Sequence, residues 1–175
     1  MKLRKLTEAD AEELVRAVTE SLPHLRPWAP WAANGYDLET ASAFLCEAAE
    51  EWERGISFPH AITVDDAIVG VVTAMRRDPG DVVEIGYWLH PGHTGHGHAT
   101  AASAELVELA FALDGVDRVQ IWHDEANVAS SGVPRRLGFT EVDRRTPSRV
   151  PPMGNRVGVD VVWELRRQDT RSRGQ

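Results

Sequence analysis

The stretch from Glu84 to Phe111 constrains the fold of this chain most, because it joins a strand pattern to a helix pattern through a glycine-rich loop. Residues 82–89 predict a strand. A helix is indicated by apolar residues on one stripe, namely Ala99, Ala102, Leu106, Leu109, Ala110 and Leu113. Glycines between the two patterns allow backbone N–H groups to converge, and the first helical turn adds partial positive charge. This junction predicts a phosphate site and is the candidate functional centre.

The rest of the chain predicts an α/β domain, with an antiparallel meander followed by a βαβ crossover. Thr7 and Asp10 resemble a capping box that opens a helix through about Ser21. Two further helices are predicted, from Asp37 to Arg54 and from Asn127 to Leu137. The predicted strands are Met1–Leu6, His60–Val64, Ile68–Met75, Val82–Leu89, Arg118–His123, Phe139–Arg144 and Val157–Leu165.

Two segments are predicted to lack regular structure. Leu22–Ala32 contains three prolines and two tryptophans, and Thr146–Arg156 is rich in turn-forming residues. Residues 1–166 are expected to form a single domain, and residues 167–175 a disordered polar tail.

Composition restricts the classes of partner. The 175 residues contain no apolar run long enough to cross a bilayer, and the first residues do not resemble a signal peptide, so we expect a cytoplasmic protein with no membrane partner. A net charge of −8 argues against nucleic acid and favours a cationic partner such as an amine. The single cysteine, Cys46, is expected to pack on the buried face of its helix.

The order of elements, with the glycine loop in the middle and the segment Asn127–Phe139 behind it, resembles the GNAT superfamily of acetyl-CoA-dependent N-acetyltransferases. The sequences EIGYWLHP at 84–91 and LRPWAPW at 25–31, with the Asn127/Ser130 pair, are most similar to the Rim-type branch, which acetylates ribosomal protein N-termini. The resemblance spans Leu3 to Glu164. It implies a mixed, mostly antiparallel sheet of about seven strands flanked by about four helices, with a splayed central strand pair.

The resemblance also implies where acetyl-CoA binds. The family's loop begins with Arg or Gln and continues to a Gly and a Gly or Ala; here it runs from Thr94 to Ala99, so Thr94 departs from the pattern. We expect the Thr94 hydroxyl to supply a replacement hydrogen bond, and backbone amides to bind the pyrophosphate. The residues implied to bind the coenzyme are Trp88, Leu89, His90, Thr94, Gly95, His96, Gly97, His98, Ala99, Thr100, Asn127 and Ser130.

Acetyl transfer to an amine requires a base, a polarised carbonyl and a proton for the departing thiolate. Glu84 shares a strand face with Gly86 and Trp88, and we expect it to bind the acceptor and to be the general base, acting through a water, with a pKa raised by burial in the cleft. The alternative is a structural Glu paired with an Arg.

Many family members carry an acidic Tyr where this chain has Pro134, so Ser130 is the expected general acid, in a short or distorted helix. Its alternative role is local hydrogen bonding to the backbone. His123 is a further candidate base, or a half-exposed histidine at a strand end.

Four histidines surround the glycine loop: His90, His93, His96 and His98. No carboxylate or cysteine lies at supporting spacing, so we expect no metal site. Protonation of His96 and His98 is instead expected to strengthen coenzyme binding at low pH.

Trp28 and Trp31 are expected either to pack in the core together with Trp52 or to form an apolar wall for the acceptor. The resemblance implies that this region and the segment Thr146–Arg156 flank the acceptor. The predicted function is N-acetyl transfer in a ternary complex to a protein or peptide N-terminus or to a small amine, by a protein that forms a homodimer. The alternative is an acyl-CoA-binding module without turnover, which the departures at Thr94 and Pro134 favour.

Overall fold

The computed structural model describes residues 1–78 and 80–167. Its strands are β1 Lys2–Lys5, β2 Ser57–Val64, β3 Ala67–Arg77, β4 Val82–Leu89, β5 Arg118–Asp124, β6 Thr140–Arg145 and β7 Asp160–Arg166. Its α-helices are α1 Ala11–Leu25, α2 Leu38–Glu53, α3 His98–Ala112 and α4 Val128–Leu137. Short 3-10 turns cover Glu8–Asp10, Pro30–Ala32 and Pro91–His93. From residue 168 on, the predicted tail lies outside the described residues.

The seven strands form one sheet in the order β1-β2-β3-β4-β5-β7-β6. All neighbouring strands are antiparallel except β4 and β5, which are parallel and joined by α3. Only residues 82–84 of β4 pair with residues 118–120 of β5. Beyond Glu84 the two strands therefore diverge, and the predicted meander, crossover and splayed pair are confirmed.

Helices cover both faces of the sheet. Buried side chains of α3, such as Leu106, pack with Val83 and Ile85 of β4 in one cluster. Buried side chains of α1 and α2 form a second cluster on the opposite face, against which Trp88 of β4 packs. Alternation along β4 thus sends Ile85 towards α3 and Trp88 towards α1 and α2, which places β4 at the centre of the molecule.

The first helix differs from its prediction at both ends. The Thr7/Asp10 capping box is present, but it opens the 3-10 turn, and α1 begins at Ala11. Helix α1 also continues past Ser21, through Pro23, to Leu25. Pro23 removes one helical N–H, but burial of Leu25 at 4% exposure holds the last turn against the core.

The prediction that Cys46 is buried was wrong, because its side chain is exposed. The buried stripe of α2 consists of Ala41, Leu45 and Ala48. Each residue of a helix is rotated by about 100° from the previous one, so the position after Leu45 turns away from the core.

The last strand begins later than predicted. Val157 and Gly158 donate their N–H groups to the Asp124 carboxylate, at 3.1 and 3.0 Å, instead of joining the sheet. Gly158 also has a φ of +80°, which a strand does not accommodate. Strand β7 therefore starts at Asp160.

Candidate active site

A cleft of about 1010 Å³ opens along the part of β4 that β5 leaves unpaired. It runs from the loop before α3, past the beginning of α4, to the tryptophan-bearing segment after α1. The cleft brings together most of the predicted site residues: Trp28, Trp31, Glu84, Trp88, Leu89, Thr94, Gly95, Gly97, His98, Ala99, Thr100, Asn127 and Ser130. His90 and His96 are not among the residues that line it.

The loop before α3 has the geometry of an anion site. Gly95 and Gly97 take left-handed φ values of +78° and +81°. The Ala101 N–H makes the first intrahelical bond, to the Gly97 carbonyl at 2.9 Å, so the N–H groups of residues 98–100 emerge from the helix end. A Cβ on either glycine would meet nothing within 4 Å. The space above these amides therefore fits a phosphate group.

The Thr94 hydroxyl, which is expected to donate to the coenzyme, has a partner within the loop. It donates to the Pro91 carbonyl at 2.9 Å, so its single proton is used within the loop. The positive charge nearest this loop on α4 is that of Arg136, whose Nε donates to the Thr100 hydroxyl at 3.1 Å. The Arg136 guanidinium lies over Gly132, where a Cβ would come within 3.1 Å of it.

The histidines separate into two positions. His90 caps the 3-10 turn by accepting from the Gly92 N–H at 3.1 Å, and its Nε2 lies 3.4 Å from Glu20 of α1. His93 and His96 contact the ring of His98, with centroids 6.3 and 5.8 Å away. Partial burial, together with nearby positive charge, lowers the pKa of His98. Among the described residues no group of side chains is arranged to hold a metal ion.

Glu84 lies in the cleft, where two arginines bind its carboxylate. Arg149 donates to both oxygens, at 2.8 and 3.0 Å, and the Arg77 Nε donates at 3.0 Å. Burial raises the pKa of Glu84, but the hydrogen bonds and charges of Arg149 and Arg77 outweigh burial and hold that pKa below its ordinary value. The prediction of a raised pKa was therefore wrong. A second cavity of about 320 Å³ adjoins Glu84.

The segment 146–156 carries Arg149 over this site. The Arg149 guanidinium stacks on Trp122, 3.7 Å from the ring centroid, and its backbone N–H donates to Asp160 at 2.8 Å. Arg156 donates to the Trp28 carbonyl at 3.3 Å. The segment is thus tied to β4, to β7 and to the tryptophan-bearing segment, and it closes one side of the cleft.

The beginning of α4 is joined to β4 by a hydroxyl pair. Tyr87 donates to the Ser130 carbonyl at 2.8 Å, and the two hydroxyls lie 3.1 Å apart. Pro134 has no N–H, so it cannot bond to the Ser130 carbonyl four residues earlier, and Tyr87 supplies the missing donor. Helix α4 therefore keeps ten residues despite its internal proline. Burial raises the pKa of Tyr87 to about 12.

Neighbouring groups engage both nitrogens of His123. Its Nδ1 lies 2.8 Å from the Asp124 carbonyl, and its Nε2 accepts from the Trp163 indole at 3.0 Å. These contacts fit a neutral ring protonated at Nδ1, and burial lowers the pKa of His123. The ring has no lone pair left for a substrate proton.

The tryptophans divide between the cleft and the core. Trp28 and Trp31 line the cleft. Trp52 packs elsewhere, on Phe58 and His60, with ring centroids 5.2 and 5.1 Å away.

Comparison with known proteins identifies the fold and the family. The acetyltransferase (GNAT) domain matches residues 1–140, which is most of the chain. The chain belongs to the GNAT acetyltransferase family. A curated relative, the Bacillus subtilis (strain 168) protein named "Putative ribosomal N-acetyltransferase YdaF", is 28% identical over 144 residues, which cover 79% of this chain and 77% of that protein.

Solved acetyltransferase structures share this GNAT fold. Mycobacterium smegmatis RimJ in complex with CoA-disulfide is 24% identical, with a TM-score of 0.85 over 95% of this chain and 82% of that chain. The microcin C7 self-immunity acetyltransferase MccE in complex with acetyl-CoA and AMP is 19% identical, with a TM-score of 0.85 over 94% of this chain and 91% of that chain. The family membership makes this protein an acetyl-CoA-dependent N-acetyltransferase.

Sequence reasoning missed three residues of this GNAT site: Arg136, Arg149 and Tyr87. Arg149 reaches Glu84 across 65 positions of sequence, and Arg136 reaches Thr100 across 36. The departures at Thr94 and Pro134 were the available signals, because each removes a donor that another residue has to replace.

None of the helices in the described part of the chain is long and apolar enough to span a membrane.

Proposed function

We propose that this GNAT enzyme acetylates the α-amino group of a protein or peptide N-terminus by direct attack on acetyl-CoA in a ternary complex. The observation that carries the proposal is the divergence of β4 and β5 beyond Glu84, which joins the anion site to the tryptophan-lined end in one cleft. The names of the relatives support an N-terminal acceptor. A small amine is the second candidate, because the segment 146–156 closes one side of the cleft.

In this proposal the N–H groups of residues 95–100 bind the coenzyme pyrophosphate, and Arg136 adds a positive charge beside them. The pantetheine arm follows the free edge of β4 near Trp88 and Leu89 and contacts the Asn127 amide. The Asn127 Oδ1 already accepts from the Ser130 N–H at 3.3 Å, which leaves its NH₂ group for the ligand. Backbone N–H groups of β4 then stabilise the oxyanion of the reacting carbonyl.

Glu84 receives the acceptor as an ammonium ion and passes its proton to water. The acceptor replaces Arg149 on the carboxylate, which removes the largest of the influences that lower the pKa of Glu84. While the acceptor is an ammonium ion, its charge holds the pKa of Glu84 low in the place of Arg149, and that pKa rises once the proton has been passed on and the amine is neutral.

The thiolate of CoA receives its proton from Ser130. Tyr87 gives its own proton to the Ser130 carbonyl, so the Ser130 hydroxyl donates in the contact between the two side chains. A short rotation of that hydroxyl turns it towards the sulfur, and Tyr87 then returns a proton to Ser130. The proton that the acceptor nitrogen loses as the intermediate collapses passes through water to Tyr87, so that each group recovers its proton.

The test measures free-thiol release from acetyl-CoA with a panel of peptides and small amines. We expect the release of free thiol to depend on the presence of an acceptor. We also expect Glu84→Gln to lower kcat about 100-fold with an unchanged CoA dissociation constant. Glu141→Gln is the matched control, since Glu141 is a strand carboxylate paired with Arg144 away from the cleft. Binding of acetyl-CoA without acceptor-dependent release would instead establish a binding module.

We also propose a cytoplasmic homodimer whose partners are acetyl-CoA and the amine, with no nucleic acid and no membrane. The relationship to ribosomal N-acetyltransferases supports the location, and the net charge of −8 disfavours a nucleic-acid partner. Sedimentation at micromolar concentration tests the dimer, and a monomer would contradict it.

A further inference from the structure

One end of the cleft presents an exposed aromatic ring in a fixed position. The Trp31 side chain is 47% exposed, which is unusual for an indole. It stands on the 3-10 turn Pro30–Ala32, and Ala32 beside it is completely buried. The turn therefore holds the indole in the cleft, and the exposure of Trp31 does not come from a loose segment.

Neighbouring rings extend Trp31 into a continuous surface, here called the aromatic wall: Trp31, Tyr36 and Trp88. The Trp31 ring centroid lies 5.9 Å from that of Tyr36 and 6.3 Å from that of Trp88. These are distances of direct ring contact, and they leave no space for a ligand between the rings. The wall can therefore stack one flat group on its open face, but it does not enclose a cation.

Most side chains around the aromatic wall are apolar, although His24, Thr40 and Arg156 line the same cleft. Aliphatic and aromatic side chains that line the same cleft include Leu14, Val18, Leu25, Trp28, Phe44 and Val71. Burial raises the pKa of Tyr36 to about 12, so its hydroxyl stays neutral. An apolar ring would gain contact area on this wall, whereas a charged substituent placed against it would lose hydration.

The strand β4 fixes the distance between this wall and the reacting amine. Glu84, Gly86 and Trp88 lie on one face of the strand, and alternate residues are about 6.7 Å apart. Gly86 carries no side chain, and the nearest atom on that face is the flexible end of Met75, whose Cε lies 3.3 Å from where a Cβ would be. An amine beside Glu84 and Gly86 therefore reaches a ring stacked on the wall through about two or three carbon atoms.

We propose that the acceptor carries an aromatic ring about two carbon atoms from its amine, as in an arylethylamine or a peptide whose first residue is aromatic. This inference rests on the proposed function, because it specifies the substrate of the same cleft. The shared chemistry is a primary amine with a flat apolar group, and Trp31 is its specificity-determining residue.

The experiment compares kcat/KM for phenethylamine, cyclohexylethylamine, butylamine and the tripeptides Phe-Gly-Gly and Ala-Gly-Gly. We expect phenethylamine or Phe-Gly-Gly to exceed its non-aromatic counterparts at least about tenfold, and Trp31→Ala to abolish that preference. Trp31→Phe should retain most of the preference. Leu38→Ala is the matched control, because Leu38 is 50% exposed and does not line the cleft. The two aromatic substrates distinguish a peptide acceptor from a free amine.

Calorimetry of the same amines with the CoA-bound enzyme separates this inference from the proposed function. Turnover with equal kcat/KM across the panel would overturn the inference and leave the acetyltransferase proposal standing. Absence of turnover, with aromatic amines still binding about tenfold more tightly than butylamine, would overturn the proposed function and leave only the aromatic preference of the cleft standing. Equal binding of all amines in the absence of turnover would overturn both.

Discussion

Replacing Arg149 by Met should raise the pKa of Glu84 and move the acid limb of the pH profile. Arg149 donates two hydrogen bonds to the Glu84 carboxylate, at 2.8 and 3.0 Å, whereas Arg77 donates one. Met keeps much of the side-chain length and the apolar contact with Trp122, but it removes the charge. Without Arg149, burial still raises the pKa of Glu84, and Arg77 is the remaining arginine that lowers it.

The size of the shift follows from the exposure of the pair. Two unit charges about 4 Å apart interact by about 1 kcal/mol in water and about 4 kcal/mol at an effective dielectric constant of 20. The Glu84 side chain is 10% exposed but that of Arg149 is 45% exposed, so solvent screens the pair and the lower part of this range applies. About 1.4 kcal/mol corresponds to one pKa unit. We therefore expect the pKa of Glu84 to rise by about one unit.

The assay is kcat/KM for the amine acceptor against pH, which reports the ionisation of the free enzyme. In the variant the acid limb should lie about one pH unit higher, and the acceptor KM at neutral pH should fall because no guanidinium has to leave. Arg145→Met is the matched control, since Arg145 also stacks on Trp122, at 4.6 Å, but pairs with Asp143. An acid limb that does not move in a folded Arg149→Met protein would refute the assignment of Glu84 as base.

The same pair makes stability depend on pH. The pKa of Glu84 is lower in the folded protein than its ordinary value of 4.5, so the stabilisation is present above about pH 4.5 and lost as the pH falls through the folded pKa. Arg149→Met should reduce both the stability at neutral pH, by about 1 to 2 kcal/mol, and its loss on acidification. Thermal unfolding at two pH values measures both effects.

Three further predictions concern coenzyme binding and the proton path. Gly97→Ala should weaken CoA binding about tenfold, because alanine is strained at the Gly97 φ of +81°. Gly115→Ala is the control: its φ of +77° is similar and it is equally free of neighbours, so it should reduce stability alone. Equal CoA affinities of the two variants by calorimetry would contradict this prediction. Tyr87→Phe should lower kcat at least about tenfold with an unchanged CoA dissociation constant, and a kcat within about twofold of wild type would remove Tyr87 from the proton path. CoA affinity should increase as the pH falls from about 8 to about 5, because protonation of His98 adds a positive charge beside the phosphate site. Most of the increase should occur below about pH 6.5, since the pKa of His98 is lowered, and His98→Gln should flatten the profile. A flat wild-type profile would exclude this role of His98.

The central part of the fold could be predicted because its signals are local. The pattern of period two over residues 82–89, the glycines and the helical stripe of α3 each depend on neighbouring residues, and together they fixed the crossover. Gly138 likewise ends α4 with a left-handed φ of +77°. Local signals failed where distant packing decides the outcome, as in α1, where burial of Leu25 extends the helix past Pro23.

The electrostatics of the site could not be predicted for the same reason. The strand position of Glu84 placed it in the cleft, but its pKa depends on Arg149, 65 residues later in a segment without regular structure. No periodicity relates these two residues. Burial alone would have raised the pKa, and the sign of the shift reverses only once the partner is known.

The two departures from the family pattern have structural counterparts that weaken the case for a module without turnover. Pro134 stands where many relatives have a tyrosine, and by lacking an N–H it frees the Ser130 carbonyl to accept from Tyr87 at 2.8 Å. Pro134 thus leaves α4 without a tyrosine hydroxyl, but it also leaves the Ser130 carbonyl free for the Tyr87 hydroxyl of β4.

Thr94 is the second departure, and a cation from α4 lies near the same anion site. Arg136 brings a guanidinium to Thr100, in the first turn of α3, and Gly132 provides the space for it. Loss of function through drift would not be expected to replace a donor on each side of the cleft. Both replacements come from the contact of α4 with its neighbours, so a variant that displaces α4 should impair coenzyme binding and proton transfer together.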